Sequence, residues 1–113
     1  MAQKENNIIP MIFDEAFYRK MATQKWRQQD YKKAAEYYEK VLELSPEDFD
    51  IQQHYAQCLV KLNIGKKAEH LFYENIVKDF HVAESFYELS QLNIELNEPN
   101  KAFLFGINYV ILS

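Results

Sequence analysis

The sequence predicts an all-α fold of six antiparallel helices, arranged as three helix-turn-helix units that stack into a short superhelix. Three observations predict it. The 113 residues contain two glycines and three prolines, where average usage would give about eight glycines. So few left-handed positions leave no room for a Gly-rich phosphate loop or for many hairpins. Small residues recur with a spacing of 34, at Ala34, Ala68 and Ala102, each preceded by a lysine (Lys33, Lys67, Lys101); a fixed period of this length marks a repeat architecture. Between them the apolar residues fall at helical spacing, as in Ile51, Tyr55, Cys58, Leu59 and Leu62, one stripe along one helix face. A hydrophobic content of 48% excludes a disordered chain.

Each element follows in order. Residues 1–14 form an arm in which Ile8, Ile9, Met11, Ile12 and Phe13 are expected to cap the first helix pair or to lie in the groove of a neighbour. The first helix is expected over 14–28, with a turn at Asp30. The second, over 31–44, carries Tyr31, Ala34, Tyr38, Val41 and Leu42 and ends at Ser45-Pro46, because proline cannot continue a helix and disfavours α geometry in the residue before it. The third spans 48–62 and turns at Asn63-Ile64-Gly65. The fourth, over 65–79, carries Ala68, Leu71, Phe72 and Ile76. The fifth and sixth occupy 82–96 and 99–113, with Asn97-Glu98-Pro99 between them. Twelve residues ahead of each repeating alanine stands another small residue, Ala22, Ala56 or Ser90, directly after a large one, Met21, Tyr55 or Leu89. Small residues let two helices approach while large ones fill the space between them. The units are 15–48, 49–82 and 83–113, the last one truncated.

Thirteen basic against seventeen acidic residues give a net charge of -4, a field that repels nucleic acid. A lone Cys58 allows no internal disulfide, and the opening residues lack the apolar core of a secretory signal. The expected compartment is the cytoplasm, with no membrane span.

Catalytic patterns are thin. His54 and Cys58 share a helix face, but nothing nearby in sequence supplies an oxyanion site, and Cys58 falls on the packing stripe, where a free cysteine acts as a small hydrophobe. His70 and Glu74 are two ligands without a third. His81 reads as a cap or a solvent-exposed side chain, and Glu47, Asp48 and Asp50 read as the acidic first turn of a helix. No enzyme, metal site or cofactor is expected.

The spacing Tyr18, Met21, Ala22, Ala34, Tyr38, Pro46, together with the stretch DYKKAAEYYEKVLELSPED, resembles the tetratricopeptide repeat family. The second unit keeps Ala56, Leu59, Ala68 and Phe72 but has Gln52 at the tryptophan position and Phe80 at the usual proline. The third keeps Phe86, Leu89 and Ala102 but has Asn93 at the tyrosine position and Gly106 at the later aromatic one. The opening MAQKENNIIP resembles the start of uncharacterised bacterial tetratricopeptide-repeat proteins, which implies a longer parent chain. The resemblance implies a right-handed superhelix and a non-catalytic scaffold that binds a protein or peptide in its concave groove, or alternatively a structural, self-associating segment of a longer solenoid.

One helical step from the packing stripe, the residues expected to face that groove are Arg19, Thr23, Trp26 and Arg27, then Gln53, Gln57, Val60 and Lys61, then Glu84, Tyr87, Gln91, Ile94 and Glu95. Trp26 and Tyr87 are candidate anchors, although Trp26 could instead fold inward. Family members that clamp acidic chaperone tails use Lys, Asn and Arg; this chain offers Arg19, Thr23, His54, Glu84 and Glu88, and the two glutamates would repel a carboxylate. The last helix is apolar nearly all round. Phe103, Phe105, Gly106, Tyr109 and Val110 are expected to meet a following repeat, the favoured reading, or else a second copy in a homodimer or a partner protein.

Overall fold

The computed structural model of the chain describes residues 14–112, so the expectations placed on the N-terminal arm lie outside the described residues. Among the described residues there are six helices and no strand: α1 (Glu15–Arg27), α2 (Tyr31–Leu44), α3 (Phe49–Lys61), α4 (Gly65–Val77), α5 (Val82–Glu95) and α6 (Pro99–Leu112). Every boundary falls within two residues of its sequence expectation. Each helix packs chiefly against the next one along the chain.

The first three helices begin on an aspartate whose carboxylate accepts a backbone N–H three residues on: Asp14 from Phe17 (3.0 Å), Asp30 from Lys33 (3.2 Å) and Asp48 from Ile51 (3.1 Å). This satisfies donors that the first turn cannot pair internally. Inside each unit the turn places one residue in the left-handed region, and these residues share the repeat spacing: Gln29 (φ 60°), Asn63 (φ 62°) and Asn97 (φ 61°). The residue after each closes the preceding helix with an N–H to the carbonyl five positions back, Asp30 to Lys25 (2.9 Å), Ile64 to Leu59 (2.8 Å) and Glu98 to Asn93 (2.8 Å), as helix ends of this type require. Gly65 therefore plays a different part from the flexible turn residue its position suggests. It opens α4 without a positive φ, and a Cβ there would come within 3.0 Å of the Leu92 side chain, so it permits close approach of α4 to α5.

Six small residues form the spine of the core: Ala22, Ala34, Ala56, Ala68, Ser90 and Ala102 are all buried. Around them lie Tyr38, Val41, Tyr55, Leu59, Phe72 and Leu89. One stretch of interior is polar. Asn75 on α4 is fully buried; its amide donates to Gln53 Oε1 (2.7 Å) and to the Phe49 carbonyl (3.3 Å), and its oxygen accepts from Gln52 Nε2 (3.0 Å). Ser85 of α5 donates to the same Gln53 oxygen (3.1 Å). This network joins α3, α4 and α5 and pairs most of its buried amide groups, as a low-dielectric interior demands, although Gln53 Nε2 has no hydrogen-bond partner.

Candidate functional site

The expected groove residues separate into three groups. Arg27, Lys61, Tyr87 and Gln91 are exposed, and Gln57 is half-buried. Gln53, by contrast, is only 3% exposed and belongs to the buried amide network, so it does not face a groove. The error is one helical step: a polar residue on a helix flank is read as outward unless a polar interior is waiting for it. Arg19 is also committed elsewhere. Its guanidinium bonds to Glu15 (Nε, 2.8 Å) and to Asp48, the cap of α3, while Ser45 donates to the other oxygen of Glu15 (2.7 Å). This cluster braces α1 against the start of α3. The Ser45 and Arg19 hydrogen bonds hold the Glu15 carboxyl below its usual range. Burial acts against ionising Asp48, yet the bonds from Arg19 and the Ile51 amide outweigh it and lower that carboxyl too.

A concavity of about 300 Å³ lies where α1, α2 and α3 meet, lined by Arg19, Thr23, Trp26, Arg27, Tyr38, Ile51 and His54. Trp26 is half-buried and meets Tyr31 edge-on at 5.1 Å, so it forms a wall of the concavity while contributing to packing. The exposed His54 ring stacks on Tyr38 at 6.0 Å, and Lys61 lies over the Tyr31 ring at 5.9 Å. The floor is thus aromatic and aliphatic, and the rim carries Arg27 and an imidazole.

At the α5 end the polarity is smaller than the sequence suggests. Glu84 approaches His81 (3.5 Å), whose other nitrogen meets Asp50 of α3 (2.5 Å). Burial disfavours the charged imidazole, but these two carboxylates outweigh it and raise its pKa. His81 occupies the N-cap position of α5 in a left-handed conformation without capping by its side chain. Burial likewise raises the Glu88 carboxyl, which accepts from Gln57 (3.2 Å). Tyr87 stands beside Tyr109 at 5.1 Å.

The nucleophile pattern does not assemble. Cys58 is fully buried, which pushes its thiol up to about 12, while His54 faces outward onto Tyr38. Among the described residues no three His, Cys, Asp or Glu side chains are grouped to hold a metal ion.

On α6, the residues expected on the self-association face divide. Phe105 turns inward against Tyr73 (5.7 Å) and Phe86 (6.2 Å), and Tyr109 against Tyr87, so both belong to packing within the chain. Phe103, Gly106 and Val110, joined by Ile107 and Ile111, line an open apolar groove of about 420 Å³ on the outer face.

Helix pairs repeating every 34 residues around a spine of small side chains define a helical-repeat solenoid. Residues 25–72 match the family model for the tetratricopeptide repeat, and the fold extends the same unit on both sides. The match to the tetratricopeptide repeat covers just under half of the chain, and the helix pairs on either side repeat its pattern. Among solved structures it is similar to a crystal structure of MamA protein, with a TM-score of 0.77 at 20% identity, a likeness of fold that covers 88% of this chain and 54% of that one. The chain therefore spans about half the length of that neighbour. No curated protein matches the sequence. No described helix is long and apolar enough to cross a membrane.

Proposed function

We propose that this chain is a non-catalytic interaction module that receives a peptide or helix on the α1–α3–α5 side. The supporting observation is the concavity of about 300 Å³ bounded by Trp26, Tyr38 and Ile51 and rimmed by Arg27 and His54. An apolar floor of this size accommodates one large side chain of a partner, and the Arg27 guanidinium on the rim favours an acidic neighbour beside it. Arg27, Lys61, Tyr87 and Gln91 extend the surface toward α5; Arg19 and Gln53 act beneath it by holding α1, α3 and α4 in place.

The test compares proteins recovered on immobilised wild type with those recovered on an Arg27→Glu, His54→Ala, Tyr87→Ala triple variant whose circular dichroism matches wild type. Loss of one defined band with the variant is expected. Identical recovery would overturn the groove assignment. A second reading, self-association, is favoured by the outer face of α6, where Phe103 is 68% and Ile111 73% exposed, more apolar surface than a monomer ordinarily leaves to water. A single free cysteine fits a reducing compartment, and we place the protein in the cytoplasm.

A further inference from the structure

Helix α6 carries two apolar stripes. One, through Ala102, Phe105 and Tyr109, is used against α5 and α4. The other runs through Phe103, Gly106, Ile107, Val110 and Ile111 at i, i+3, i+4, i+7 and i+8, the spacing by which one helix seats against another. From Ala102 to Leu112 no residue is charged, and Asn108, the polar residue of this stretch, is off the stripe with its amide bonded to the Leu104 carbonyl (2.9 Å).

We infer that a second copy of this chain covers the α6 face, by antiparallel two-fold pairing of the α6 helices that seats a large side chain of each copy in the Gly106 notch of the other. The inference rests on the self-association reading given above. Three features carry it. Phe103, Leu104, Ile107, Val110 and Ile111 together leave roughly 600 Å² exposed per copy, so two copies would cover about 1,200 Å², the lower end of the range for specific interfaces. The stripe holds no charge, so juxtaposing two copies of it desolvates no ion and opposes no like charges. The notch also selects the orientation. Parallel two-fold pairing sets Gly106 against Gly106 and leaves a void, which costs packing. Antiparallel pairing centred near Ile107 brings Phe103 of one copy toward Ile111 of the other and places an Ile107 beside each glycine. This is an isologous, closed contact.

The experiment is sedimentation and light scattering of the full chain across a wide concentration range, with two variants and a cross-linking pair. Wild type is expected to show a concentration-dependent dimer. Gly106→Leu fills the notch, while its Cβ would meet nothing closer than the Ser90 Cβ at 3.9 Å within its own chain; it is expected to keep wild-type circular dichroism and to dimerise about tenfold or more weakly. A short bis-maleimide is expected to link Ile107→Cys chains into dimers but not Asn108→Cys chains, with the buried Cys58 silent in both. A wild type that stays monomeric at the highest concentration overturns both the pairing and the self-association reading. A dimer that Gly106→Leu leaves intact, or that Asn108→Cys captures as well as Ile107→Cys, overturns the pairing alone.

Discussion

Replacing Asn75 with alanine should destabilise the chain by about 3 kcal/mol, and the figure can be worked from its contacts. The substitution takes from Gln53 Oε1 its 2.7 Å donor, leaving the Ser85 hydroxyl at 3.1 Å, takes from the Phe49 carbonyl its 3.3 Å donor, and takes from Gln52 Nε2 one acceptor, leaving Glu74 at 2.7 Å. Three neutral bonds are worth about 1 kcal/mol each. Gln53 is vulnerable because its Nε2 is already without a hydrogen-bond partner. Asn93 provides the control. It is equally buried, yet it makes a single bond to the Leu89 carbonyl (2.8 Å), and its oxygen has no partner. Asn93→Ala loses that bond but also removes the orphaned oxygen, so its cost should stay within about 1 kcal/mol. Helix propensity favours alanine equally in both, and the difference isolates the network. Urea unfolding followed by far-UV circular dichroism, with unchanged m-values as the check on two-state behaviour, measures it. Equal costs for the two variants, or a larger one for Asn93→Ala, would refute the claim that the amide network ties α4 to α3 and α5.

The buried Cys58 thiol, pushed up to about 12, should resist alkylation in the native protein near pH 8 and react at the model-thiol rate only in denaturant; rapid native labelling would show the core opening. Glu88→Gln should raise the melting temperature at neutral pH. Burial raises the carboxyl, so its favourable form is the protonated one, and its contribution is fully present below the unfolded value of 4.5 and lost as pH rises through the folded one. The gain should therefore vanish on acidification, and a gain that persists at low pH would contradict the electrostatic cause. Asp48→Ala should cost at least the ~1 kcal/mol of a lost helix cap and should flatten the acid limb of the stability profile. Both Asp48 and Glu15 sit below their usual ranges, so their contribution is present above the unfolded values of 3.8 and 4.5 and disappears as pH falls. Thermal melts from about pH 3 to pH 7 check it.

Helix boundaries and the core spine were legible because both depend on periodicity, which a repeat prints three times over. Ala34, Ala68 and Ala102 are recognisable as helix-contact residues without knowledge of where the contacting helix lies. The left-handed turns at Asn63 and Asn97 were marked by residue type; Gln29, their equivalent, was not, because glutamine carries no such signal. The site was harder to read. Gln53 differs from a groove residue by one helical step, and only the positions of Asn75 and Ser85, twenty-two and thirty-two residues away, turn it inward. Arg19 reads as a groove cation because Asp48, one of its two partners, is twenty-nine residues distant, although the other, Glu15, lies four residues back on the same helix. On α6 the difficulty has another origin. A helix apolar on all sides has a period but no phase, so nothing in the pattern distinguished Phe105 and Tyr109, which pack inward, from Phe103 and Val110, which do not.

The departures of the third unit from the repeat form one connected adjustment. Where the first two units place Tyr38 and Phe72 four residues after the repeating alanine, the third has Gly106. The missing ring is supplied one residue earlier: Phe105 reaches Tyr73 on α4 and Phe86 on α5 and fills the space between the second and third units. Asn93, at the position of the buried Leu59, removes apolar volume from α5 in the same region and leaves its oxygen without a partner. Aromatic mass has therefore moved toward the start of α6, and the middle of the helix is thinned on the side away from the core. A glycine in the middle of a helix costs about 1 kcal/mol relative to alanine, and the 3.9 Å clearance to Ser90 shows that nothing within the chain requires the side chain to be absent. The proposed pairing of α6 with a second copy would give the glycine a role, and would tie the shifted phase of the third unit to the apolar face it exposes.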